Sequence, residues 1–277
     1  MRDVNDVVAR MFDYAVDHER TLAFKAWIKD NVNGKVVCEL GTGSGIMAQL
    51  CLDYGATKVY AYENNKRIIT YLKEQLSTQI DEGKIVLVEE DISTATFPTA
   101  DIYLHENIGS NVYMENILAM YENLKSQGLE DKTYPNKIKI QYGTYTGNST
   151  LHELDLDTNF PHDESVTIEG DEYTFCYAKT YIQNSYNWDG IKRKLNKLKE
   201  VDQSTVTIEG TAFDGDFKDL TQDLPAAVVG KYLFWEASFD GSHTLSNWKN
   251  KTSWNVIGPE NAYLAMGVDT TYTVGAE

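Results

Sequence analysis

The chain has 277 residues, 42 acidic against 25 basic side chains, and a formal net charge of −17. That length supports a large core and, at roughly 100–200 residues per domain, two domains. An acidic excess of this size repels nucleic-acid phosphates and favours basic partners, unless it serves solubility alone. Cys38, Cys51 and Cys176 make no paired framework and no C-x-x-C spacing, and Cys38 and Cys51, on expected apolar faces, read as buried structural thiols in a reducing compartment. No apolar run approaches about 18 residues, and the N-terminus lacks a basic-then-apolar leader, so no membrane segment is expected and the cytoplasm is the expected location.

In chain order, Val4, Val7, Val8, Met11, Phe12 and Ala15 fall at helical spacing and predict an amphipathic helix over 3–16. A second helix carries Leu22, Phe24, Trp27 and Ile28 and stops at Asn33-Gly34. Next comes a buried strand from Val36 to Leu40, a turn with Gly41, Gly43 and Gly45, a helix from Ile46 to Leu52, and a strand from Lys58 to Tyr62 ending on Glu63. This is the first βαβ unit of a nucleotide-binding sheet. Its glycines let the backbone turn tightly and approach a ligand, and an acid about 20 positions on binds a ribose diol. Such units hold either a dinucleotide or S-adenosylmethionine. The dinucleotide fingerprint needs a third glycine where this chain has Ile46, which disfavours a nicotinamide-dependent oxidoreductase. The spacing here is E-x-G-x-G-x-G, with Glu39 ahead of the turn.

Ile68, Ile69, Leu72 and Leu76 mark a helix running to Gln79, and a third strand, Lys84 to Val88, ends on Glu89, Glu90 and Asp91. Ligands of doubly wound sheets sit at the carboxyl ends of the strands, so Asp91 with the backbone of Ile92 is the expected adenine contact. A fourth strand, Asp101 to Leu104, leads into His105-Glu106-Asn107-Ile108-Gly109-Ser110-Asn111-Val112-Tyr113-Met114-Glu115, with a helix expected from Glu115 to about Lys125. Two carboxylates brought into one half-buried site repel each other unless a cation sits between them. A guanidinium is planar, permanently charged and able to bond both.

These segments together resemble the protein arginine N-methyltransferases, class I S-adenosylmethionine-dependent enzymes, over most of the chain. The family's double-glutamate hairpin, S-E-W-M-G-Y-x-L-x-Y-E, is similar to H-E-N-I-G-S-N-V-Y-M-E, which keeps both glutamates, the central glycine and their separation. Its D-x-x-R-T segment matches Asp17, Arg20 and Thr21, and its threonine-histidine-tryptophan turn resembles Ser246-Asn247-Trp248. Pro135 stands where the family passes into a β-barrel through a cis proline.

The resemblance implies an α/β class I methyltransferase domain, a Rossmann-like doubly wound sheet with N-terminal helices, over 1–134. A β-barrel or sandwich over 135–277 follows it. It implies S-adenosyl-L-methionine as cofactor, with Arg20 on its carboxylate, Glu39, Gly41, Thr42, Gly43 and Gly45 around its methionine end, Glu63 on the ribose, and Asp91 and Ile92 on the adenine. Glu106, which also meets the cofactor, and Glu115 would hold the guanidinium of a basic, arginine-containing protein or peptide, and Asn247 would take the third catalytic position. Three features depart from the family. Asn107 replaces the tryptophan after the first glutamate and Asn247 replaces the turn histidine, where a proton carrier is lost. The aromatic helix ahead of the D-x-x-R-T segment has no match, the first helix being short and without the aromatic pair. These departures keep two alternatives open: an enzyme of the same architecture acting on another amine or small molecule, and a non-catalytic cofactor-binding partner subunit.

Beyond 136 the pattern becomes mostly strands. Ile138, Ile140, Tyr142 and Tyr145 alternate, and segments near 165–178, 204–213, 231–239 and 252–257 behave likewise, with Val-Thr-Ile-Glu-Gly at both 166–170 and 206–210. A helical insertion near 184–203 sets Ile191, Leu195 and Leu198 against Lys192, Arg193, Lys194, Lys197 and Lys199. It reads as a surface helix or as an arm for homodimerisation. The five histidines form no metal-ligand spacing, so no metal is expected.

Overall fold

The computed structural model describes residues 18–109, 112–113, 115–147, 149–152, 165–168, 171–174, 198–250 and 254–259. The expected helix over 3–16, the basic insertion up to 197, Asp17 and Cys176 lie outside the described residues; the end of the expected helical insertion, Leu198–Val201, is instead a strand, because it pairs with Ser149–His152.

Five parallel strands form the first sheet: β1 (Val36–Leu40), β2 (Lys58–Tyr62), β3 (Ile85–Val88), β4 (Ile102–His105) and β5 (Thr133–Tyr134), in the order β3-β2-β1-β4-β5. Near-continuous apolar runs such as Val-Val-Cys-Glu-Leu belong to strands buried on both faces, and four of the five β1 residues are buried. Helices α1 (His18–Asn31), α2 (Ile46–Asp53), α3 (Lys66–Gln75), α4 (Ser77–Asp81) and α5 (Ile117–Gln127) accompany them. The order reverses between β1 and β4, so the crevice for a ligand opens where Leu40 and His105 end their strands. Cys38 and Cys51 are buried free thiols, and burial pushes both well above the usual thiol range.

Two local boundaries differ from expectation. The single helix to Gln79 is two helices, broken at Leu76, whose backbone N–H still bonds Leu72 while its side chain stays in the core. Helix α5 starts at Ile117 rather than Glu115. Asn116 takes a left-handed conformation (φ 57°) at the N-cap and leaves Glu115 in the hairpin loop.

After the cis Tyr134–Pro135 peptide the strands become antiparallel. Strands β6 (Lys137–Tyr145), β11 (Val206–Asp216), β12 (Tyr232–Phe239) and β13 (Ser242–Ser246) pair in the order β11-β6-β12-β13. Two short pairs lie apart from them: β7 (Ser149–His152) with β10 (Leu198–Val201), and β8 (Ser165–Ile168) with β9 (Asp171–Thr174). Among the described residues these strands do not close into a barrel, and the segment expected near 252–257 adds only a bridge from Ile257 to Leu233. Strand β11 runs past 213 and shifts register at Ile208/Gly210 and Thr211/Phe213.

Helix α1 ties the two sheets together. Phe24 meets the Phe239 ring edge-on at 5.1 Å, and Trp27 stacks on Phe239 at 5.1 Å and leans on Tyr134 at 4.6 Å. On the other side His105 Nε2 donates to Pro135 O at 3.0 Å, while its ring stands edge-on to Tyr121 and Phe217. Burial pushes the His105 imidazole down to about 4, so it stays neutral at ordinary pH. Removing the Phe239 ring leaves a cavity under α1. We expect Phe239→Ala to cost about 3–5 kcal/mol, read as a lower urea midpoint with an unchanged transition slope.

Candidate active site

The glycine turn between β1 and α2 is fastened to the end of β2. Gly41 and Thr42 donate their backbone N–H groups to Tyr62 O at 3.1 and 2.7 Å, and Gly43 donates to Glu63 Oε2 at 3.1 Å. Gly41, Gly43 and Gly45 all adopt positive φ (86°, 54° and 80°), which only glycine takes without strain. At Gly41 there is a second reason, because a Cβ there would stand 2.7 Å from Asn107 Oδ1.

Two cavities meet at this turn, sharing Gly41, Gly43 and Glu106. The inner one, about 40 Å³, is lined by Arg20, Glu39, Thr42, Met47 and Leu104 among others. The outer one, about 260 Å³, is lined by Glu63, Glu90, Asp91, Ile92, Asn107, Glu115 and Asn116 among others. Gly45 lies in neither lining; it ends the turn and precedes α2.

Arg20 is 2% exposed on α1, and its Nη1 stands 3.4 Å from Glu106 Oε2. Its guanidinium carbon lies 5.8 Å from the Trp254 ring centre, and Trp254 meets Trp235 edge-on at 4.7 Å. Trp254 is a residue that sequence reasoning missed. No local motif marks it, because its contact with Arg20 is made across more than 200 residues of chain.

Glu39 is buried at the end of β1 and accepts a hydrogen bond from the Thr42 hydroxyl at 3.1 Å. Burial, aided by the nearby Glu63 carboxylate, pushes Glu39 up to about 8 against the Thr42 bond. Glu63 also accepts from Asn65 N at 2.8 Å, and burial raises it too despite its backbone bonds. Asp91 is engaged internally, accepting from Ser93 N and Oγ and from Asn64 Nδ2. The Ser93 bonds lead in holding it below the usual range. Ile92 O accepts from Asn123, and its own N–H bonds no described residue. The adjacent Glu90 lines the same cavity and makes no hydrogen bond or ion pair among the described residues, so it is the more available carboxylate at this strand end. The run Glu89-Glu90-Asp91 offered no signal to choose between them.

The hairpin brings Glu106 and Glu115 to one cavity wall. Gly109, at φ 56°, gives Glu115 its place, since a Cβ there would stand 3.0 Å from Glu115 Oε1. Asn247 lies elsewhere. It is 1% exposed, its Oδ1 accepts from Trp235 N at 2.8 Å, and its Nδ2 donates to Asn255 O at 3.1 Å. It lines neither cavity, and both ends of its carboxamide hold the turn to β12. Among the described residues no group of three or more His, Cys, Asp or Glu is placed to hold a metal. No helix of the described residues is long and apolar enough to cross a membrane.

Comparison with solved structures gives, for one chain of the Trypanosoma brucei PRMT1 enzyme-prozyme heterotetrameric complex with AdoHcy, a TM-score of 0.57 at 18% identity, covering 88% of this chain and 79% of that one. The fold is that of the protein arginine N-methyltransferases. In sequence the chain is similar to Saccharomyces cerevisiae protein arginine N-methyltransferase 1, 27% identical over 234 residues, covering 77% of this chain and 62% of that protein. A shorter match, 35% identical over 96 residues, is to ribosomal protein L11 methyltransferase of Carboxydothermus hydrogenoformans and covers 35% of this chain and 31% of that protein. The chain thus spans less than two thirds of these curated relatives, and no protein-family model matches it.

Two outcomes follow for the turn. Gly41→Ala forces a left-handed alanine against Asn107 and should lower stability by at least about 1–2 kcal/mol in urea melts. A carboxyl whose folded pKa is raised holds its proton more tightly when folded, so its contribution is lost as pH rises from the ordinary carboxylate range through about 8. The wild type should therefore lose stability between about pH 5 and about pH 8.5 relative to Glu39→Gln, measured as the difference in urea midpoints across that range.

Proposed function

We propose that this protein is an S-adenosylmethionine-dependent methyltransferase acting on the guanidinium of an arginine in a protein or peptide. The observation that carries this reading is the outer cavity, lined by Glu63, Glu90, Asp91, Glu106 and Glu115 with no lysine or arginine among its described lining residues. Such a wall favours a cationic ligand, and a net charge of −17 favours a basic partner.

The residues present fit the cofactor. The inner cavity pairs a guanidinium, Arg20, with an acid, Glu39, which suits the carboxylate and ammonium of an amino-acid end. The glycine turn carries no Cβ between the two cavities, and Glu63 stands at the end of β2 for ribose hydroxyls, with Glu90 or Asp91 and the Ile92 N–H for adenine. When bound, S-adenosylmethionine supplies a methyl on a sulfonium for in-line displacement, the electron pair of the broken C–S bond remaining on sulfur. The chain's own part is positioning, worth up to roughly 7–11 kcal/mol when geometry is good. Glu106, held by Arg20, and Glu115, seated on Gly109, bond the guanidinium. They draw its positive charge toward the nitrogens they contact, leaving lone-pair density on the nitrogen that reacts. One of the two glutamates takes the proton which that nitrogen releases as its bond to carbon forms.

The two sheets are read as two domains joined at Tyr134–Pro135, and self-association and a cytoplasmic location remain part of the same proposal. A second reading has support in Asn107, which stands where the family has tryptophan, and in the match to ribosomal protein L11 methyltransferase. It keeps the cofactor and exchanges arginine for another amine.

Labelled methyl should pass from S-adenosylmethionine to an arginine-rich peptide and not to its lysine counterpart; transfer only to the lysine peptide supports the second reading. Glu115→Gln should lower kcat/KM for the arginine peptide by about 10²–10³-fold with cofactor affinity within about threefold. Unchanged activity in that variant would remove Glu115 from the mechanism.

A further inference from the structure

Asn107 is a hairpin residue on the cavity wall that the mechanism above leaves unused. Its Nδ2 donates to Leu40 O at 2.9 Å and lies 3.4 Å from Met120 Sδ, so the hydrogen-bond network fixes which end of the carboxamide is oxygen. That oxygen lies over the first residue of the glycine turn, 2.7 Å from where a Gly41 Cβ would stand. Among the described residues Oδ1 accepts no hydrogen bond, and Asn107 lines the outer cavity. Glu106 and Glu115 line that same cavity. An indole at this position offers a donor only; a carboxamide held in this way offers an acceptor.

A guanidinium carries five N–H donors, and two carboxylates facing it in forked fashion use up to four. The nitrogen to be methylated has to face the glycine turn, where the cofactor's reactive carbon would lie, and its remaining N–H needs an acceptor on that side. A neutral carbonyl orients such a nitrogen without drawing the cationic charge onto it, as a third carboxylate would. Its lone pair therefore stays available. Resting on the arginine reading above, we infer that Asn107 is the third acceptor of the substrate subsite. Its Oδ1 takes an N–H of the reacting nitrogen and so favours a nitrogen that carries no methyl. Met120 and Leu40 hold the donor end of the side chain, and the acceptor end sets which substrates sit well.

The test compares arginine and monomethylarginine peptides of one sequence as substrates, with cofactor affinity measured separately by calorimetry. The wild type should prefer the unmethylated peptide. Asn107→Ala should lower kcat/KM for that peptide at least about tenfold, leave the S-adenosylmethionine Kd within about twofold, and reduce the preference over the monomethylated peptide. Asn107→Asp keeps an oxygen over Gly41 while losing the bond to Leu40. As a charged acceptor it should lower kcat/KM for the unmethylated peptide yet retain the preference, and it serves as the informative variant if the alanine protein fails to fold, loss of the preference in it overturning the inference. Parallel loss of cofactor affinity and peptide activity with an unchanged preference would make Asn107 a brace for the turn and overturn the inference. So would wild-type behaviour in Asn107→Ala. A wild type that binds the cofactor but methylates no arginine peptide refutes the arginine reading, and the inference falls with it; that outcome is read without any variant.

Discussion

The ion pair between Arg20 and Glu106 is the contact on which the site depends. Arg20 is almost fully buried, and a buried guanidinium is tolerated only where a carboxylate and other contacts compensate its lost hydration. Glu106 supplies the carboxylate and the Trp254 ring lies 5.8 Å from the cation. Because Glu106 lines both cavities, the residue that steadies α1 from inside also joins the glycine turn to the acidic outer wall. The aromatic contacts of Phe24 and Trp27 with Phe239 hold α1 in the place this pairing requires. Packing between the sheets and the electrostatics of the site are therefore one problem for this fold.

Around that pair, acidity is distributed unevenly. In the inner cavity Glu39 is deeply buried, and burial pushes its carboxyl up to about 8. In the outer cavity the Asp91 carboxylate is stabilised by Ser93 and Asn64, while Glu90 stands without such bonds. Carboxylates a few residues apart thus differ in role: some shape the backbone of a turn, and others remain available to a ligand.

Much of the parallel half was legible in the sequence because its signals are local. The run Val36 to Glu63 carries strand, turn, helix and acid in order, and the observed β1, α2 and β2 follow it closely. The departures came from long-range or single-residue causes. Asn116 at positive φ moved the start of α5 past Glu115, a cost that tertiary context imposes and no periodicity reports. Asn247 matched a family turn by position, yet its carboxamide is absorbed by the Trp235 and Asn255 backbones. Trp254 gave no signal because it meets Arg20 only after more than 200 residues of chain have folded. The antiparallel half was legible as strands, but alternation along strands specifies faces and not closure, and the four-stranded sheet of the described residues bears out the strands without deciding between barrel and sandwich.

The central claim is that Glu106 and Glu115 act together on one planar cation. The most direct measurement is a crystal structure with S-adenosylhomocysteine and an arginine peptide bound. The account predicts one guanidinium bonded by both carboxylates, with a terminal nitrogen facing the cofactor sulfur and Arg20 still beside Glu106. A peptide lying elsewhere on the surface, or the arginine bonded to only one of the two glutamates, would contradict it.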